Sequence, residues 1–177
     1  MSLSAVRPLF EEEHDSREGT LPTEEQAMLH TTIDDLRNRE PEVDLGTTEW
    51  QTIEQARIDE FAHATGDEQW IHVDVDRAAQ GPYGATIAHG YLTLSLLSPL
   101  LKDLLVVADA RSSIDVGLNR VRFPRPVLSG SQIRAQGVLT RVLALSHGVQ
   151  TVTQVHVLSS DGGKPALVAE VTTRFLP

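Results

Sequence analysis

Cysteine is absent from this chain of 177 residues. Its absence excludes disulfide bonds, thiolate metal sites and cysteine nucleophiles. The sequence also has no His-x-x-x-His pair, no Gly-x-Ser-x-Gly turn, no Gly-x-x-x-x-Gly-Lys-Ser/Thr loop and no Gly-x-Gly-x-x-Gly fingerprint. Those motifs are typical of zinc hydrolases, serine hydrolases and nucleotide-binding enzymes, so these classes are disfavoured. Neither a metal ion nor a redox cofactor is therefore expected.

Positive charge is scarce as well. The 15 Lys and Arg residues stand against 25 Asp and Glu residues, which gives a formal net charge of -10. A nucleic-acid-binding protein needs clustered basic side chains that displace counterions from phosphates, so no nucleic-acid partner is expected. An anionic ligand would need a local basic patch.

Long uninterrupted apolar runs are also missing. The most apolar stretch, residues 88–107, is interrupted by polar residues and one proline, at Ser95, Ser98, Pro99, Lys102 and Asp103. A transmembrane helix needs roughly 20 consecutive apolar residues, so no membrane association is expected. The first ten residues have too little apolar content for a secretory signal, and acidic residues follow at once, so a cytoplasmic location is expected.

The residues that are present divide the chain into three predicted segments. Residues 1–22 are acidic and poorly patterned, which predicts a flexible N-terminal arm. Residues 23–45 are predicted to form a helical preface, because residues 23–26 have the form of a capping box and an apolar stripe runs from Met28 to Leu36. Residues 46–177 are long enough for one globular domain.

Apolar spacing predicts an α+β fold for that domain. A first helix is expected from Thr52 to just before Gly66, and a long buried helix over residues 88–107, bent by Pro99. The last third of the chain alternates apolar and polar residues over several long strands. A phase shift after Gly137 predicts a β-bulge at that glycine. One buried helix with several antiparallel strands is an α+β pattern.

The residues suited to chemistry are concentrated in residues 65–72 and in the step Ala88-His89-Gly90. The first stretch places Asp67 and His72 in one short loop, and the second places Gly90 at a predicted helix start. Asp and His are the usual pair for moving a proton to or from water. A free backbone N–H at a helix start can stabilise a developing oxyanion. The combination indicates acid/base chemistry on a carbonyl compound.

These residues also carry a resemblance. Asp67, His72, the Ala88-His89-Gly90 step, Ser98 and residues 122–127 follow one another in the order typical of one family. The chain resembles the MaoC-like dehydratases, the R-specific enoyl-CoA hydratases of the hotdog superfamily, over residues 32–177. The resemblance implies a hotdog fold, in which a curved antiparallel sheet wraps a long central helix. It also implies a single such domain per chain and a homodimer.

The loop departs from the usual form of the family in one place. That form reads Gly-Asp-x-Asn-Pro-hydrophobic-His, whereas here Gln69-Trp70 replaces Asn-Pro. The spacing between Asp67 and His72 is kept. The departure therefore concerns substrate preference more than chemistry.

The resemblance implies roles for individual residues. His72 would be the main base toward a shared water, Asp67 would orient this water or exchange its proton, and the Gly90 amide would bind the thioester oxygen. Ser98 would support the catalytic loop from the helix. The implied reaction adds water to trans-2-enoyl-CoA to give (R)-3-hydroxyacyl-CoA, or runs in reverse as a dehydration. Coenzyme A is then part of the substrate, and the substrate-binding candidates are Gln69, Trp70, Tyr83, Arg120, Arg122 and Arg125.

Simpler interpretations of the same residues remain open. Asp67 could cap the turn after Gly66, and His72 could be an ordinary histidine at the edge of the core. Ser98 could bond backbone groups freed by the following proline. For His89 a structural role at the helix start is favoured over a chemical one. The arginines could be solvated surface charges.

Two other functions also remain open. One is a hotdog acyl-CoA thioesterase, in which an acid activates water to attack the thioester carbonyl. The other is a non-catalytic subunit that binds acyl thioesters.

Overall fold

A computed structural model describes residues 28–177. The acidic arm predicted for residues 1–22 lies outside this part of the chain, as does the start of the predicted helical preface. The helices are α1 (Ile33–Arg37), α2 (Gln55–Thr65), α3 (Trp70–Val73), α4 (Val75–Ala79), α5 (Gly90–Ser95) and α6 (Leu97–Lys102). The strands are β1 (Leu29–Thr31), β2 (Val43–Thr47), β3 (Gln51–Thr52), β4 (Leu105–Val107), β5 (Ser112–Arg122), β6 (Gln132–Ala144), β7 (Val149–Ser159) and β8 (Leu167–Leu176).

The main sheet is antiparallel and has the strand order β2-β6-β7-β8-β5, with β3 also paired to β6. Alternate residues of β7 are buried along its whole length, as the sequence pattern predicts for a strand with one face on the core. Val155 and Val157 on that face belong to the same buried cluster as Leu92 of α5 and Leu97 of α6. The α+β prediction is therefore confirmed.

The long central helix is interrupted. It was predicted as one element over residues 88–107, but α5 and α6 are separated at Leu96. Pro99 has no N–H to donate to the carbonyl of Ser95 four residues before it, which explains the break. None of the helices in the described part of the chain is long and apolar enough to cross a membrane.

The end of the predicted helix is wrong. Residues Leu105–Val107 form strand β4, which pairs in parallel with β1 (Leu29–Thr31) in a separate two-stranded sheet. This pairing also shows that the helical preface predicted for residues 23–45 is not all helical. Within the described residues of that segment, only α1 is a helix. Strand pairing between distant segments has overridden the local helical pattern. Strand β2 (Val43–Thr47) pairs with β6, so the main sheet includes residues before position 46, where the globular domain was predicted to start.

The predicted bulge at Gly137 is also wrong. The extra residues lie at Leu45 on β2 and at Thr140 on β6. Gly137 is instead a packing position, since a Cβ there would lie 3.0 Å from Cδ1 of Leu104. The absence of a side chain lets the end of the central helical segment approach the sheet closely.

Candidate active site

The loop between α2 and α3 presents Asp67. Gly66 ends α2 in the left-handed conformation (φ 77°), and its N–H donates to the Ala62 carbonyl at 2.8 Å. The Thr65 hydroxyl donates to the Phe61 carbonyl at 2.8 Å and accepts from the Asp67 N–H at 3.4 Å. The chain therefore leaves the helix in a defined direction, and the Asp67 side chain is 58% exposed.

His72 lies on α3 and is buried, with 7% of its surface exposed. Its Nδ1 donates to the Ile87 carbonyl at 2.7 Å. Because a carbonyl can only accept, the proton is on Nδ1 and Nε2 carries the lone pair in the neutral ring. Gln55 holds the backbone of α3 by donating from Nε2 to the His72 carbonyl at 2.8 Å. The ring is thus oriented by neighbouring backbone, with Nε2 left to accept a proton.

The environment of His72 favours the neutral ring. Burial lowers its pKa below the ordinary 6.5, and the nearby His89 adds to this effect. The hydrogen bond to the Ile87 carbonyl and the charge of Asp67 act in the opposite direction, but burial outweighs them. A histidine with a lowered pKa is unprotonated at neutral pH, as a general base must be.

His89 joins the two predicted catalytic residues. It is buried, with 2% exposed, and its ring stacks on that of His72 with centroids 3.7 Å apart and planes 23° apart. Its Nε2 donates to the backbone carbonyl of Asp67 at 2.9 Å. Sequence reasoning favoured a purely structural role for His89, because a residue 22 positions after Asp67 gives no local signal of contact.

The arrangement suits proton transfer better than metal binding. One carboxylate and two imidazoles, from Asp67, His72 and His89, offer ligand atoms within 4.8 Å of one another. The Asp67 Oδ2 and His89 Nε2 atoms are 4.0 Å apart. Two ligands of one tetrahedral zinc ion lie about 3.3 Å apart, given bonds of about 2.0–2.1 Å. His89 Nε2 is also already engaged with the Asp67 carbonyl.

A cavity of about 230 Å³ adjoins this cluster, and both His72 and Gly90 line it. Gly90 is the first residue of α5, so its N–H has no acceptor within the helix. The Phe123 ring packs directly on Gly90, since a Cβ there would lie 3.2–3.3 Å from three ring atoms. Buried Thr93 also lines the cavity and was not singled out in the sequence, although it lies one helical turn after His89.

Two of the predicted substrate-binding residues, Tyr83 and Arg125, line the same cavity. Arg125 makes an ion pair with Asp161 at 3.9 Å. The Asp161 Oδ2 atom in turn accepts hydrogen bonds from the Ser131 and Ser159 hydroxyls at 2.8 and 3.0 Å. The ion pair with Asp161, which follows β7, therefore holds Arg125 at the cavity wall, and the two serine hydroxyls hold Asp161.

The other substrate-binding candidates lie elsewhere. Gln69 is exposed at the start of α3. Trp70 packs beside Gly81, where a Cβ would lie 3.0 Å from the indole, and under the Arg77 guanidinium at 4.4 Å. The two remaining arginines are on β5: Arg120 pairs with Glu170 at 3.3 Å, and Arg122 donates to the Val121 carbonyl at 2.8 Å.

Ser98 is the predicted catalytic residue that the structure does not bring to His72. It is exposed on α6 and lines two cavities between the helices and β5. Within the described chain, His72 borders neither of these two cavities. The break at Leu96 lies between Gly90 and Ser98.

Comparisons with known proteins identify the family of the chain. Residues 37–164, more than half of the chain, match the family model described as MaoC like domain. The 3-hydroxyacyl-thioester dehydratase Z of Mycobacterium tuberculosis (strain ATCC 25618 / H37Rv) is 47% identical over 133 residues, which cover 75% of this chain and 88% of that protein.

Solved structures share the fold. The (R)-hydratase from A. caviae involved in PHA biosynthesis superposes with a TM-score of 0.64 at 23% identity, covering 80% of this chain and 99% of that one. The HadBC (3R-hydroxyacyl-ACP dehydratase) complex from Mycobacterium tuberculosis superposes with a TM-score of 0.60 at 20% identity, covering 75% and 96%. The predicted hotdog architecture is thereby confirmed. By its sequence match and its fold, the chain belongs to the MaoC-like dehydratase family of hydro-lyases.

Proposed function

We propose that the protein is an R-specific enoyl-CoA hydratase. It adds water to a trans-2-enoyl-CoA to give (R)-3-hydroxyacyl-CoA, catalyses the reverse dehydration, and works in the cytoplasm, as the sequence predicts. The observation that carries the proposal is that the fold brings His72, Asp67 and Gly90 close together. His72, a buried base, and the amide of Gly90 at a helix start line one cavity. The carboxylate of Asp67 lies beside them, within 4.8 Å of a ring nitrogen of His72.

The proposed chemistry uses each group for one step. His72 Nε2 takes a proton from water, and the resulting hydroxide adds to the β-carbon of the enoyl thioester. Negative charge develops on the thioester oxygen, where the Gly90 N–H stabilises it. A proton then reaches the α-carbon through the Asp67 and His72 pair, so one water is consumed and no other reactant is needed.

Substrate binding is assigned to the residues that line the cavity. Tyr83 and Phe123 would contact the acyl thioester, and Arg125 would contact a phosphate of coenzyme A. The ion pair with Asp161 supports this role, because it holds the guanidinium in place before the ligand arrives. The substrate contacts predicted for Gln69, Trp70, Arg120 and Arg122 stay predictions, as does the supporting role predicted for Ser98. These residues do not line this cavity.

The test of this function is hydration of crotonyl-CoA and of a longer 2-enoyl-CoA, followed by loss of the conjugated thioester absorbance. We expect turnover of at least one substrate, and chiral analysis of the product should give the R-3-hydroxyacyl thioester. The same substrate on acyl carrier protein should react more slowly, since coenzyme A is the proposed carrier. Release of free thiol would instead indicate a thioesterase, and binding without turnover would indicate an acyl-thioester-binding subunit.

We also propose that the chain forms a homodimer through β5. This strand is at the edge of the main sheet, and Ile114, Val116 and Leu118 on it are each 44–47% exposed. An exposed apolar edge strand is a ready template for another chain. A second copy of this chain would cover it.

Leu118→Lys is expected to convert the dimer to a monomer, because it places a charge in the middle of that edge. The matched control is Leu143→Lys, which alters a residue that is 52% exposed near the end of β6. Light scattering coupled to size-exclusion chromatography should give a dimer mass for the wild type and the control. A monomeric wild type would contradict the homodimer, and a dimeric Leu118→Lys variant would exclude β5 as its interface.

A further inference from the structure

His89 contacts both residues of the proposed proton-transfer pair, but by different means. It donates from Nε2 to the backbone carbonyl of Asp67 at 2.9 Å. Its ring lies on the His72 ring at a centroid distance of 3.7 Å. On another side it contacts the Phe61 ring, with centroids 5.1 Å apart and planes 53° apart. The imidazole is thus enclosed between the loop, the proposed base and helix α2.

Packing alone does not explain a histidine at this position. The Nδ1 atom of His89 is buried and has no hydrogen-bond partner among residues 28–177. A buried polar atom without a partner costs free energy that an apolar ring of similar size would not. Because the fold retains a histidine despite this cost, we expect the other ring nitrogen, Nε2, to contribute a compensating interaction. The hydrogen bond of Nε2 to the Asp67 carbonyl is that interaction.

His89 is also the residue that immediately precedes Gly90. It has an extended backbone (φ -59°, ψ 138°) and occupies the N-cap position of α5, and the Thr93 N–H donates to its carbonyl at 3.2 Å. The start of α5 and the Asp67 loop are therefore joined through one side chain. A displacement of that side chain would move the carboxylate relative to both His72 and the Gly90 amide.

We propose that His89 is a positioning residue that fixes the position of Asp67 relative to His72 for proton transfer. The inference rests on the proposed hydration, in which these two side chains act on one water. His89 takes no proton in the reaction. It acts mainly through the hydrogen bond from Nε2 to the Asp67 carbonyl, and the stack on His72 adds a smaller effect.

Two variants separate the hydrogen bond from the stack. His89→Phe keeps an aromatic ring and removes the donor, whereas His89→Gln keeps a donor nitrogen near the position of Nε2 and removes the ring. We expect His89→Phe to lower kcat by about 10- to 100-fold, with KM changed by less than about 3-fold, because small displacements of reacting groups are costly. His89→Gln should recover most of the lost kcat. The control for a histidine-to-phenylalanine change is His156→Phe on β7, which should keep wild-type kcat.

A double-mutant cycle tests whether His89 acts through Asp67. In an Asp67→Asn background the carboxylate that His89 positions is gone, so His89→Phe should lower the residual rate by less than about 2-fold. Equal fold losses in both backgrounds would overturn the inference, as would a His89→Phe enzyme with wild-type kcat. Either result leaves the hydratase function standing.

Hydrogen exchange gives a readout that does not depend on turnover. We expect the amides of residues 66–70 to exchange faster in His89→Phe than in the wild type, and at the wild-type rate in His89→Gln. If the wild type hydrates no enoyl thioester, the proposed function fails, and exchange alone then decides whether His89 holds the loop. Unchanged exchange in His89→Phe would overturn the inference.

Discussion

Replacing His72 by glutamine is expected to lower the hydration rate by ~100-fold or more, the scale that general acid/base groups supply. Glutamine has no titratable nitrogen to accept the proton from water. Asp67→Asn is expected to give a loss of the same scale, because it removes the carboxylate that is proposed to orient this water. Initial rates with crotonyl-CoA, followed by its conjugated absorbance, measure both losses as changes in kcat/KM.

The matched control for this prediction is His63→Gln. His63 is exposed near the end of α2, four residues before Asp67, and its replacement should not lower the rate.

The pH profile of the wild type gives a second check on His72. Because burial lowers the pKa of His72 below the ordinary 6.5, kcat/KM should fall as His72 is protonated in acid, with a midpoint below pH 6.5. A full rate in His72→Gln would contradict the assignment of the base.

Gly148→Ala is expected to produce the largest loss of stability, about 3 kcal/mol or more in the free energy of unfolding, from backbone strain and overpacking together. Gly148 has φ 102°, a conformation that alanine rarely adopts, and a Cβ there would overlap the carbonyl oxygen of Phe175. Its own carbonyl accepts from Arg37 Nη2 at 3.1 Å, so the turn cannot move freely. Urea unfolding followed by circular dichroism measures the change.

Gly130→Ala is the control that separates strain from overlap. Gly130 has φ 84°, but nothing lies within 4 Å of a Cβ built there. We expect a loss of only about 1 kcal/mol, from the left-handed conformation alone. Equal losses in the two variants would mean that the Phe175 carbonyl moves aside and that overlap contributes nothing.

The loop that carries Asp67 was predictable because its determinants are local: Gly66 ends a helix there. The prediction that His72 lies in the same loop is wrong, because His72 is on the short helix α3 (Trp70–Val73). The alternation along β7 was also predictable from local determinants, since one face of a strand follows from the sequence pattern. Gly90 also lies where its sequence context indicated, at the first position of a helix.

The features that were missed depend on distant segments. The pairing of Leu29–Thr31 with Leu105–Val107 joins residues more than 70 positions apart, and a short apolar run does not reveal its partner. The stack of His89 on His72 also requires the fold, because the two residues belong to different elements. The bulge at Thr140 follows from how β6 pairs with β7, and the glycine at 137 gave a misleading local signal.

The anchors of the proposed catalytic groups are largely backbone atoms. His72 is oriented by the carbonyl of Ile87, the Asp67 loop is held by its own carbonyl, and Gln55 bonds the carbonyl of His72. A carbonyl is present whatever side chain its residue carries. An apolar substitution at position 87 that preserves the packing of this buried residue should therefore leave the proposed catalytic groups in place. The proposed acyl-binding wall, of which Ile87 is part, could then change its shape while the proposed chemistry is kept.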